Sequence, residues 1–263
     1  MPTFSYQETL HYFDSNPNST CETILLLHGL GSRAVDWQPQ IDALKDNYRV
    51  IALDFPGHGE SEAAKESLSM KTLAARVSGL MEHLQLASAH VIGLSLGGMV
   101  AFQLAVDFPK YIRSLVIINS APGPGSSNAS IMLKLLMRKA LLKIIGIEKL
   151  AKKIAVNLFP HPSQKNLREQ FLDSMALVDK TSYRNIVKAI GEYNIDSEVE
   201  GCPIPTLILA ADQDYTSVEF KKSYAGKMRN ARVVVVPNSR HASTIDSPDF
   251  CNREIINFLT RIT

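Results

Sequence analysis

Six short aliphatic runs punctuate this chain, and helical stretches stand between most of them. The runs are Thr23 to Leu27, Tyr48 to Leu53, His90 to Gly93, Ser114 to Asn119, Thr206 to Ala210 and Ala231 to Val236. The first two carry almost no polar residue on either side of the pleat. A strand of that kind must be covered on both faces, as in a parallel sheet sandwiched by helices. Leu73, Val77, Leu80, Met81 and Leu84 recur at helical spacing and predict a helix over Thr72 to Leu86. Further helices are expected from Gly97 to Phe108, stopped by Pro109, from Val218 to Met228, and from Asp249 to Arg261. The opening, Phe4 to Phe13, suggests a strand or hairpin ahead of the turn signal Asn16-Pro17-Asn18-Ser19.

The alternation breaks once. Ala121 to about Glu200 holds several helical stretches and no convincing strand. The expected organisation is therefore an α/β core over residues 1–120 and 201–263, with a helical lid inserted over 121–200. An insertion after a strand's C-terminal end sits where open α/β sheets bind ligands.

Composition narrows the function classes. The formal net charge of +2 in 263 residues lacks the basic excess of a nucleic-acid binder, so no nucleic-acid partner is expected. Cys21, Cys202 and Cys251 are widely spaced and match no zinc or redox motif. No secretory pattern opens the chain, and no apolar stretch approaches the ~20 residues of a membrane span. These features predict reduced thiols, no transmembrane segment and a cytoplasmic location.

Gly93-Leu94-Ser95-Leu96-Gly97 follows an apolar strand and opens a helix. That context is what a nucleophile elbow requires: a sharp turn lifts the serine hydroxyl to the top of the sheet, and small residues two places either side let it close. The helix behind it favours developing negative charge. An oxyanion then needs two backbone N–H donors. Leu96, next to the nucleophile, supplies one, and Leu30, in the strand-end turn His28-Gly29-Leu30-Gly31, supplies the other. His28 reads as a structural loop residue.

A serine hydroxyl needs a histidine to take its proton and a carboxylate to orient that histidine. In the chain order serine, acid, histidine, the search falls after Ser95. His161 lies between two prolines in the insertion, whereas His241 follows the strand ending at Val236 and is preferred. Asp212 and Asp214 both follow the strand Thr206 to Ala210. Asp214 lies deeper in its loop and is favoured as the orienting acid; Asp212 is expected to brace the loop through backbone hydrogen bonds.

These elements together resemble the α/β-hydrolase superfamily over essentially the whole chain. The resemblance rests on His28-Gly29 after a strand, Asp54-x-x-Gly57-x-Gly59-x-Ser61, the elbow with Gly98, and the late Asp and His loops. In that family the acid usually lies three residues after a strand-ending glycine, and Asp214 lies three after Ala211. Serine at position 95 is unlike the aspartate of haloalkane dehalogenases and epoxide hydrolases. Ala242 stands where ring-cleavage C–C hydrolases often carry tryptophan and hydroxynitrile lyases carry lysine. The layout is similar to small bacterial carboxylesterases, including pimeloyl-carrier-protein methyl esterases, and to enol-lactonases.

The resemblance implies hydrolysis of a carboxylic ester by Ser95, Asp214 and His241, with Leu30 and Leu96 as oxyanion donors and no cofactor or metal. A C–C hydrolase, an enol-lactonase and a non-catalytic ligand receptor are the alternatives. In the insertion, Ile147, Leu150, Ala151, Ile154, Ala155 and Leu158 form an apolar stripe opposite Glu148, Lys149, Lys152 and Lys153, with Lys134, Arg138, Lys139 and Lys143 upstream. This basic segment reads as a solvated lid surface. The sharper expectation is a site that steers a substrate held on an acidic carrier protein or coenzyme A; docking on a membrane surface is a third reading.

Overall fold

The computed structural model describes residues 2–123 and 129–262, without the side chains of residues 129–136 and 138–143. Its strands are β1 (Thr3–Ser5), β2 (Thr9–Asp14), β3 (Thr23–Leu27), β4 (Arg49–Leu53), β5 (Ala89–Leu94), β6 (Ile112–Ile118), β7 (Thr206–Ala211) and β8 (Ala231–Val236). Its helices are α1 (Gln38–Leu44), α2 (Met70–His83), α3 (Leu96–Asp107), α4 (Ala129–Leu158), α5 (Lys165–Ala176), α6 (Lys180–Glu192), α7 (Val218–Ala225), α8 (Ser243–Asp246) and α9 (Pro248–Leu259).

The strands form one sheet in the order β1-β2-β4-β3-β5-β6-β7-β8. β1 and β2 pair antiparallel with each other, β2 pairs antiparallel with β4, and every pair from β4 to β8 is parallel. The central strands are buried along their whole length, and their alternate residues serve two cores. Leu25, Leu27, Ile51, Leu53 and Val91 pack on the side of α2 and α3. Ile24, Leu26, Val50, Ala52 and Ile92 pack with Trp37 and Ile41 near α1 and with Ile255 and Phe258 of α9. Covering both faces removes the need for polar alternation, which is why these strands read as continuous apolar runs.

Between β6 and β7 the described elements are helical. α4 is broken at Gly146, which takes φ 77° and ψ 171°, a conformation open to glycine. Beyond the break, Ile147, Leu150, Ala151, Ala155 and Leu158 are buried, while Lys149, Lys152 and Lys153 face solvent. Lys134, Arg138, Lys139 and Lys143 lie outside the described side chains. Asp179 caps α6 by accepting from Ser182 N at 2.7 Å, and Ser217 caps α7 by accepting from Phe220 N at 3.1 Å. No helix among the described residues is long and apolar enough to cross a membrane.

Candidate active site

The parallel strands end on one edge, and the loops leaving β3, β5, β6, β7 and β8 meet there. Ser95 sits between β5 and α3 with φ 53° and ψ −112°, a region that side chains rarely adopt. Its carbonyl is anchored by the N–H groups of Gly98 and Met99 and by Ser120 Oγ at 2.6 Å, and its own N–H donates to Ile118 O. A conformation this costly persists where the surroundings over-determine it, and such points gather at functional sites.

His241, in the loop after β8, accepts the Ser95 hydroxyl proton at Nε2 across 2.8 Å. Its Nδ1–H donates to Asp214 Oδ1 at 2.5 Å. Asp214 lies in the loop after β7 with its side chain only 1% exposed, against 19% for His241. Burial alone pushes the Asp214 carboxyl up. The His241 ring and the Lys221 ammonium outweigh it and hold the group well below the usual carboxylate range, so Asp214 stays ionised. Asp212 faces away and accepts from Asn238 N and Ser239 N, fixing the histidine loop from below. His161 lies in the exposed turn after α4.

Leu30 and Gly29 line the same cavity as Ser95, and Leu96 opens α3, where first-turn N–H groups have no helical partner. The loop carrying Leu30 is held from three sides. His28, fully buried, donates Nδ1–H to Gly29 O at 2.8 Å and accepts Phe55 N at Nε2 across 3.0 Å. Burial lowers its pKa to about 4, so it is a neutral strut rather than a base. Asp54, from the loop after β4, accepts Ala34 N at 2.6 Å and Glu60 N at 3.1 Å. Asp36 accepts Ser32 Oγ at 2.6 Å and Ser174 Oγ at 2.9 Å, tying the loop to α5.

Two residues that pattern reading passed over organise the site. Asn119, just past β6 with φ 47°, donates Nδ2–H to His241 O, Arg240 O and Ser243 Oγ and accepts Ala211 N at Oδ1. One buried amide thus ties the acid strand to the histidine loop. Its position at a strand end on the correct edge was the available signal. We expect Asn119→Ala to lower unfolding free energy by about 2–4 kcal/mol, because several buried groups lose their partner. Urea unfolding checks this, and a change under about 0.5 kcal/mol would show that the amide is dispensable. The second residue is Lys221, a lysine turned inward from α7 onto Asp214.

A cavity of about 490 Å³ opens above Ser95 and His241. Its walls are largely apolar: Leu30 and Met99, and Leu150, Ile154, Phe159 and Phe171 from the helical segment between β6 and β7. Lys153, Asn157, Asp36 and Gln170 are among its polar members. The size suits a small organic molecule. Among the described residues there is no cluster of side chains that could hold a metal ion.

Comparison with known proteins gives this geometry a family. Residues 22–144 match the family model described as alpha/beta hydrolase fold. The RutD protein of Caulobacter sp. (strain K31), named as a carbamate hydrolase, is 30% identical over 261 residues, covering 95% of each chain. The 3-oxoadipate enol-lactonase 2 of Acinetobacter baylyi is 24% identical over 264 residues, covering 97% of each. The crystal structure of the enol-lactonase from Burkholderia xenovorans LB400 superposes with a TM-score of 0.89 at 26% identity, over 98% of this chain and 100% of that one. The chain is thus a hydrolase belonging to the α/β-hydrolase family.

Proposed function

We propose that this protein cleaves a carboxylic ester through an acyl-enzyme formed on Ser95. The observation that carries the reading is the unbroken line from Asp214 Oδ1 through His241 to Ser95 Oγ, in steps of 2.5 and 2.8 Å, beneath an apolar cavity. In this reading Ser95 Oγ attacks the carbonyl carbon while His241 Nε2 takes its proton. The Leu30 and Leu96 N–H groups receive the oxyanion, each contributing roughly 3 kcal/mol. His241 returns the proton to the leaving alcohol, and the alcohol departs. Water, deprotonated by His241, then releases the acid from Ser95. Asp214 orients His241 and offsets its transient charge. None of these steps calls for a cofactor.

The test is turnover of p-nitrophenyl esters of increasing acyl length, with Ser95→Ala beside the wild type. The chain-length profile measures the acyl room in the cavity. An enol lactone and an aryl carbamate belong in the same panel, because the names of the relatives favour those acyl bonds as a second reading. Turnover of either in preference to simple esters would replace the first reading. Failure of the wild type to react with a fluorophosphonate would favour a ligand receptor, and reaction without any ester turnover would favour C–C hydrolysis.

The exposed Lys149, Lys152 and Lys153 support a further element of the proposal, a substrate presented on an acidic carrier protein or coenzyme A. Lys153 also lines the cavity. The double variant Lys149→Glu, Lys152→Glu, at two positions outside the cavity lining, is expected to lower kcat/KM for an acyl-coenzyme A about tenfold at low salt, and to leave a neutral p-nitrophenyl ester unaffected. Equal kcat/KM for the acyl-coenzyme A in both proteins would sink the carrier reading.

A further inference from the structure

Lys221 is an anomaly of placement. It lies on a short surface helix beside the exposed Lys222, yet its side chain is 0% exposed. All three ammonium protons are used: Nζ donates to Asp214 Oδ2 at 2.6 Å, Thr216 Oγ1 at 2.7 Å and Thr216 O at 2.9 Å. Thr216 Oγ1 in turn donates to the same Asp214 oxygen at 3.0 Å. Removing an ammonium from water is costly, and a hydrophobic side chain often fills such a place at no loss of stability. The charge is therefore more informative about Asp214 than about packing.

We propose that Lys221 is a positioning residue for catalysis, one that fixes the second oxygen of Asp214 and weakens the hold of the Asp214–His241 pair on a proton. The proposal rests on the reading of Ser95, His241 and Asp214 given above. With Lys221 charged, Asp214 ionised and His241 neutral, the three groups sum to zero, and protonating His241 leaves a net positive charge. Without the lysine, the same protonation ends at neutrality and is favoured. Lys221 thus keeps His241 free to act as a base at lower pH.

Other described groups near the pair are engaged elsewhere or packed against it. The Tyr215 ring stacks 4.4 Å from His241. Tyr224, on the same helix as Lys221, donates its hydroxyl to Ser120 O, and burial pushes its phenol far up, so it stays neutral. Arg240 donates to Asn157 O, and Asp246 is occupied by Ser239 Oγ and Arg240 N. Among the described residues, Lys221 is the cation in direct contact with Asp214.

The experiment is the rate of Ser95 labelling by a fluorophosphonate from pH 5 to 9, for wild type, Lys221→Met and Lys221→Gln. Methionine removes charge and donor, and glutamine removes charge while keeping a donor. The acidic limb of the rate profile is expected to move to higher pH by about one unit in both. A limb that stays in place in folded variants overturns the proposal. So does loss of folded protein in both, which would assign Lys221 to stability alone. Absence of labelling in the wild type is a different result and would instead remove the Ser95 reading on which the proposal stands.

Discussion

Ser95→Ala is expected to lower kcat for p-nitrophenyl ester hydrolysis by at least about a thousandfold and to abolish fluorophosphonate labelling. The substitution removes one atom. Cβ remains, so the backbone strain at φ 53° is unchanged. The bonds that anchor residue 95 to Ile118, Gly98 and Met99 run through the backbone and survive. His241 loses the partner of Nε2, but its side chain is partly open to water, so stability should change by less than about 1 kcal/mol. The expected combination is a chemically dead protein with a wild-type unfolding curve. Residual turnover within tenfold of wild type would mean that another nucleophile does the work, and the acyl-enzyme proposal would have to be abandoned.

Much of the frame behind that expectation was legible in the sequence, and the reason is physical. β3 and β4 are covered on both faces, so each position must be apolar, and a run such as Thr23 to Leu27 has few other homes. Shorter elements left no comparable mark. α1 spans only seven residues and buries three of them, Gln40 among them, too few turns for a period to emerge.

Ser95 and His241 could be placed because each follows a strand that ends on the same edge. Asn119 stands on that edge too, but an amide is none of the side chains that the serine, acid, histidine order calls for. Its role comes from binding four backbone and side-chain groups across the chain, which no local spacing encodes. Lys221 was less visible still. A lysine in Val218–Ala225 reads as solvated surface, and only the packing of α7 against the acid loop turns it inward. Asp54 and Gly59 were read as part of a family pattern. In the structure they brace the loop that bears Leu30, with Gly59 leaving room for the Asp54 carboxylate at φ 53°.

The largest stability effect is expected at Gly97, two residues after Ser95. In Gly97→Ala the new methyl would overlap the backbone carbonyl of Leu27 and lie 2.9 Å from His28 O. These atoms belong to the end of β3 and the residue after it, and β3 is paired with β4 on one side and β5 on the other, so they have nowhere to go. The helix must retreat instead, at an expected cost of about 3 kcal/mol or more. Because α3 carries Ser95 and Leu96 at its start, the same retreat separates them from Gly29 and Leu30, and kcat should fall about a hundredfold in whatever protein still folds. Gly29→Ala is the matched control. A methyl there meets its nearest neighbour, Ser95 Cβ, at an ordinary 3.6 Å, so unfolding free energy should stay within about 1 kcal/mol of wild type. Urea unfolding of the two variants side by side separates close approach from the general loss of a glycine. If both variants unfold at the wild-type midpoint, contact between α3 and β3 is not what holds the elbow. If only Gly97→Ala fails, the absent side chain at position 97 is what lets Ser95 and the loop bearing Leu30 lie as close as the proposed acyl transfer requires.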